Sequence, residues 1–150
     1  GDARWPPGRR LLWGGYGYRP SPEAYDALSD LLDVPILLLH LTDPDYYHLD
    51  TCLCPLDADH ALVAPKAFDD AGRALIDTLF DTPIEVPDRE ARHQFACNAH
   101  CPDGTHVLIQ EGCETTTKRL RAHGFVPVEI DTSEFMKAGG SVFCMKQMVW

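Results

Sequence analysis

The chain has 150 residues, 45% of them hydrophobic, which suits one domain with a core of its own. Its 23 acidic and 13 basic residues give a net charge of −10, which argues against the clustered Lys and Arg that bind nucleic acid or a membrane surface; a small cationic ligand fits that sign better. The longest apolar run, 34–41, contains Pro35 and His40 and is far shorter than the roughly 20 residues that span a bilayer. With no charged n-region followed by an apolar h-region, a cytoplasmic protein with its six cysteines reduced is expected.

In chain order, Leu11-Leu12-Trp13 ends in Gly14-Gly15 and predicts a short buried strand. Ser21-Pro22-Glu23 supplies a cap residue, a proline and an acid ahead of Ala24, Leu28, Leu31 and Leu32 at helical spacing, so a helix follows. Pro35 and Ile36-Leu37-Leu38-Leu39 predict a fully buried strand, suited to parallel pairing. After the turn cluster Thr42-Asp43-Pro44-Asp45, strands are expected at 47–55 and 61–64. Phe68, Ala71, Leu75, Ile76 and Leu79 mark a second helix, and Ile84-Glu85-Val86 a strand after it. The order then repeats: strands at 95–97 and 107–109, a helix over about 113–123 closed by Gly124, and a strand at 126–130.

The three helices start near Pro22, Ala67 and Cys113, about 46 residues apart, within the range where repeats mean propellers or arrays. Two strands before each helix do not fit a doubly wound sheet, which has one strand per helix. His48 and Cys144 lie close to two periods apart, so each would sit on the first strand of its unit and face a common centre.

A period of two along 47–54 places His48, Asp50, Cys52 and Cys54 on one face. Cys144 follows Gly139-Gly140, which lets the backbone approach a ligand closely, although free cysteines are commonly buried and inert. Thiolate and imidazole also suit zinc, which leaves Cys97, His100 and Cys101 as an alternative ligand set, with Cys52 and Cys54 as possible additions. Arg19, before Pro20, is a candidate carboxylate anchor or a surface residue.

Tyr47-His48-Leu49-Asp50-Thr51, Gly15-Tyr16-Gly17-Tyr18-Arg19 and the run from Glu134 to Cys144 together resemble the pentein superfamily of guanidine-modifying enzymes. Its members are dimethylarginine dimethylaminohydrolases, arginine deiminases and amidinotransferases. The resemblance implies an α/β fold, a propeller of five ββαβ units, of which residues 1–150 would be the C-terminal portion with about three units; Gly1-Asp2 resembles the end of a motif whose catalytic acid comes just before.

By the same resemblance, Cys144 is the nucleophile and His48 the general acid and base. Asp50 binds the guanidinium nitrogens, and Arg19 pairs with the substrate's carboxylate. The His-x-Asp form looks like arginine deiminases and amidinotransferases, whereas the spacing between motifs looks closer to compact bacterial dimethylarginine hydrolases. The expected activity is hydrolysis of the guanidino group of arginine or a methylated arginine, without cofactor or metal, and not by this stretch alone. An amidinotransferase, an unreactive ring-shaped scaffold or a zinc module are the alternatives.

Overall fold

A computed structural model describes residues 1–147. Two three-stranded sheets and one two-stranded sheet follow one another along the chain. In the first, β1 (Ala3–Arg4) runs antiparallel to β2 (Leu12–Tyr16), and α1 (Glu23–Leu32) crosses over to β3 (Ile36–His40), parallel to β2 with Gly14 opposite Leu38. The second repeats the pattern with β4 (Leu53–Pro55) antiparallel to β5 (His60–Val63), then α2 (Asp70–Leu79) and β6 (Thr82–Glu85) parallel to β5.

A helix absent from the expected order, α3 (Asp88–Gln94), comes next. In the third unit the first strand shrinks to a single antiparallel bridge between His100 and Leu108; β7 (His106–Gln110), α4 (Glu114–Ala122) and β8 (Val126–Ile130) complete it, with β7 and β8 parallel. Among the described residues the first two sheets follow the ββαβ order and the third keeps it with a bridge for its first strand, and the chain is of the α/β propeller class. Two short helices, α5 (Ser133–Met136) and α6 (Val142–Met145), end the described part.

Local chemistry fixes the helices. Asp69 caps α2 by accepting from the Gly72 N–H at 2.8 Å. No side chain caps α1, where Ser21 was the expected cap; Pro22 occupies that position instead. Gly14 is required where α1 meets the sheet, because a Cβ there would lie 2.7 Å from the Tyr25 ring. The Tyr25 hydroxyl then donates to the Gly15 carbonyl at 2.5 Å, pinning the helix to β2. Gly124, at φ +86°, ends α4 as expected.

One hydrophobic core serves all three units. Trp13 of the first stacks on Phe80 of the second at 5.7 Å between centroids, and Leu49, Leu53, Ile76, Ile109 and Leu120 pack within the same buried cluster. Of β3, only Leu39 is fully buried, so the expected wholly buried strand is half-covered.

Two expected strands and the first part of a third are something else. Segment 47–55 breaks at a 3-10 turn, Leu49–Thr51, because the Thr51 hydroxyl donates to the His48 carbonyl at 2.6 Å and closes a local turn. Segment 95–97 follows α3 through Phe95 at φ +50° and is a turn. Segment 139–145 forms the single turn α6. All three belong to the neighbourhood of the candidate site.

Candidate active site

Asn98 sits at the centre, fully buried. Its Nδ2 donates to the Asp50 carbonyl and to Cys144 Sγ, each at 3.2 Å, while its Oδ1 accepts the N–H groups of Ser141 at 2.9 Å and Cys144 at 3.3 Å. Two backbone donors on one side of the amide fix which atom is oxygen and which is nitrogen. The Asn98 carbonyl takes the Phe143 N–H at 2.9 Å.

Cys144 Sγ lies 3.6 Å from Asp50 Oδ2 and points towards it. Asp50 is 1% exposed, and its Oδ1 has no partner among the described residues. A buried carboxylate oxygen without a donor is costly unless something fills the place, and a cation with N–H groups would fill it. Burial, then the Asp50 charge, pushes the Cys144 thiol above its ordinary value; the Asn98 amide acts in the opposite direction. Of the six cysteines, all free thiols, Cys144 alone is exposed. A Cβ on Gly140 would lie 2.7 Å from the Cys144 Cβ, so a glycine is needed there for sterics.

His48 pairs with a different carboxylate. Its Nε2 is 3.6 Å from Asp2 Oδ2, and Asp2 Oδ1 accepts the Leu49 N–H at 3.2 Å. Burial raises the Asp2 carboxyl, against the pull of His48. Among the described residues His48 makes no hydrogen bond to Cys144 or Asp50. Arg19 is exposed, its guanidinium carbon 6.0 Å from the Tyr47 ring centroid. Tyr47 in turn donates its hydroxyl to the Gly139 carbonyl, so Arg19 stands at the rim beside the loop that leads to the cysteine.

Asp50 and Cys144 are therefore brought together, while His48 meets Asp2 and Arg19 stands against Tyr47. Asp2 and Asn98 were not singled out by residue type. Asn98 could have been: it is the one strongly polar residue in Phe95-Ala96-Cys97-Asn98-Ala99, and a buried amide in an apolar run signals a hydrogen-bond hub.

The zinc alternative finds no cluster: among the described residues no three His, Cys, Asp or Glu side chains are grouped to hold a metal ion. Cys97 is buried in the core, whereas His100 and Cys101 line a cavity of about 600 Å³ with Arg4, Trp5, Phe143 and Lys146. Burial, then the neighbouring charges of Lys146 and Arg4, lowers His100 to about 4.

No family model matches the chain. It is 40% identical over 138 residues to the N(G),N(G)-dimethylarginine dimethylaminohydrolase of Mycobacterium tuberculosis, covering 91% of this chain and 44% of that protein. It is 35% identical over 147 residues to the bifunctional arginine dihydrolase/ornithine cyclodeaminase AgrE of a Nostoc species, covering 97% of this chain and 21% of that one. The N-terminal domain of the cyanobacterial arginine dihydrolase ArgZ superposes with a TM-score of 0.90 at 34% identity over 96% of this chain and 53% of that one, both with product and covalently bound to a reaction intermediate. The chain belongs to the pentein superfamily.

As a pentein it spans about half the length, or less, of the relatives described. Three of its four site segments, at Asp2, His48–Asp50 and Asn98, recur just before the first strand, or its bridge, of successive units, and Cys144 is reached through the fourth, α6. That recurrence explains how residues so far apart in sequence share one place. Among the described residues no helix is long and apolar enough to cross a membrane.

Proposed function

We propose that this chain is the C-terminal part of a cytoplasmic pentein hydrolase acting on the guanidino group of arginine or a methylated arginine, through a covalent Cys144 intermediate. The contact between Cys144 and a buried Asp50 whose second oxygen lacks a donor carries the proposal. A planar guanidinium placed there satisfies that oxygen and sets its carbon beside Sγ. Its positive charge also offsets the burial and the Asp50 charge that keep the thiol protonated, so substrate binding itself favours the thiolate.

The thiolate attacks the guanidinium carbon, forming the C–S bond. The C–N bond to the departing amine breaks, and His48 supplies the proton that amine takes. Water then adds to the same carbon, returning a proton to His48, and the C–S bond breaks to leave a ureido product and free thiolate. Arg19, at the rim, pairs with the substrate's carboxylate. Relatives named as a dimethylarginine dimethylaminohydrolase and as an arginine dihydrolase support this chemistry and differ in the amine released.

The test uses the full-length protein with arginine, monomethylarginine and dimethylarginine. Acid-quenched intact mass should trap an amidino adduct that Cys144→Ser abolishes, with turnover falling by about 10⁴-fold or more; an adduct that survives the substitution would sink the nucleophile assignment. Ammonia or methylamines among the products identify the substrate. Transfer of the amidino group to an added amine, in place of a ureido product, would favour the amidinotransferase. The isolated 150 residues should show no turnover.

A further inference from the structure

We infer that Asn98 is a positioning residue for the nucleophile, clamping the turn that carries Cys144 to the segment that carries His48 and Asp50. The inference deepens the proposed function and rests on it for the role of Cys144. It starts from a weakness in the fold. Helix α6 has four residues, no side-chain cap, and a glycine at φ +88° ahead of it. One isolated helical turn fixes several dihedrals for a single hydrogen bond and does not hold itself. Its geometry has to be imposed from outside.

Asn98 imposes it. Oδ1 collects the Ser141 and Cys144 N–H groups, two of the donors that open such a turn, and the Asn98 carbonyl takes a third from Phe143. That leaves Nδ2 for two acceptors on different segments, the Asp50 carbonyl and Cys144 Sγ. One buried side chain therefore ties the sulfur to the backbone of the residue that carries the carboxylate. Ser141, also buried, is held independently through its contact with the Thr132 hydroxyl at 2.7 Å, so the start of the turn does not depend on Asn98 alone. The position of Sγ does.

The second consequence is chemical. An N–H directed at sulfur stabilises thiolate over thiol, against burial and the Asp50 carboxylate. Asn98 and Asp50 are opposed influences on one atom, and Asn98 acts before substrate arrives.

Asn98→Asp separates these effects from folding. It keeps the acceptor for the two N–H groups, removes both Nδ2 donations and adds negative charge. On full-length protein, the pH dependence of Cys144 alkylation by iodoacetamide should move to higher pH, with the rate at pH 7 reduced about tenfold for each unit of displacement. Turnover should fall on the order of 10²-fold in kcat with KM little changed. Asn98→Ala, which releases the turn as well, should lose more. Thermal melts establish that each variant is folded. A folded Asn98→Asp protein whose alkylation profile and kcat match the parent overturns the inference, as does one that merely melts earlier. Because alkylation needs no substrate, it reports on Asn98 even if Cys144→Ser were to retain turnover and the proposed function were to fail.

Discussion

The segments that build the candidate site have two ends of opposite character. At one end stand Asp2, Asp50, His48 and Cys144; a few residues further along the same segments stand Arg4, Pro55, His100 and Lys146, lining the cavity of about 600 Å³, where no acid stands among the described residues. Arg4, 4% exposed, lies 3.6 Å above the Phe143 ring and donates to Cys54 Sγ at 3.5 Å, leaving its Nη1 without a partner among the described residues. Both ends hold a buried charge incompletely met by the protein. They differ in what stands beside it: a thiol that can react with a bound cation at one, and an aromatic ring and a second cation at the other. A buried charge alone therefore does not identify a reactive centre; the partner atom does.

Removing the charge at the acidic end should have the largest effect. Asp50→Asn keeps the shape but replaces an acceptor-only carboxylate with an amide, and kcat/KM should fall about 10²- to 10³-fold as charge-assisted bonds to the guanidinium are lost. The free thiol should titrate at lower pH, because the Asp50 charge no longer opposes ionisation. That direction is opposite to the one expected for Asn98→Asp. Alkylation profiles of the two variants that moved together would break the distinction between carboxylate and amide.

At the basic end, Arg4→Met should be neutral or stabilising, since a buried cation with no carboxylate partner among the described residues is replaced by apolar volume. His100 should then titrate closer to its ordinary value as one of the charges lowering it disappears, measurable by NMR of the imidazole. A strongly destabilised Arg4→Met protein would mean that the cation–π contact and the bond to Cys54 outweigh the desolvation.

The same division separates what the sequence makes legible from what it does not. Helices α1, α2 and α4 and the strands they join follow from apolar spacing, capping and glycine, because each buries one face on a shared core. The ββαβ order was readable for that reason. The failures fall where the chain leaves regular structure to form the site. His48, Asp50, Cys52 and Cys54 alternate as a strand would, yet the Thr51 hydroxyl and Asp2 carboxylate turn the backbone there, and no period records a bond to a residue nearly fifty positions away. Helix α3 has few apolar residues and is held by tertiary bonds instead: Arg92 reaches Asp43 and Asp45. Of the site residues, Cys144, His48, Asp50 and Arg19 were candidates by spacing and residue type and took their roles from resemblance to a family; Asn98 and Asp2 needed the fold.

A change remote from both ends provides the zero for these comparisons, and it should have the smallest effect. Glu90 on α3 is buried and accepts from the Thr115 and Thr116 N–H groups at 2.8 and 2.9 Å and from the Thr116 hydroxyl at 2.5 Å, which caps α4 from outside that helix. Burial alone would raise its carboxyl, but the bonds from Thr116 and Thr115 outweigh it and hold the group below its ordinary value of 4.5. A depressed folded value means the unfolded chain binds the proton more readily. The stabilisation is therefore complete above pH 4.5 and lost as the pH falls through the lower, folded value. Glu90→Gln retains one acceptor and gives up the charge, so it should cost about 1 kcal/mol near pH 7, and the gap from the parent should close in urea melts taken below pH 4.5. Cys144 alkylation and turnover should be unchanged in the folded variant. A gap that stayed constant with pH would show that the lost hydrogen bond, and not the carboxylate charge, is what α4 depends on.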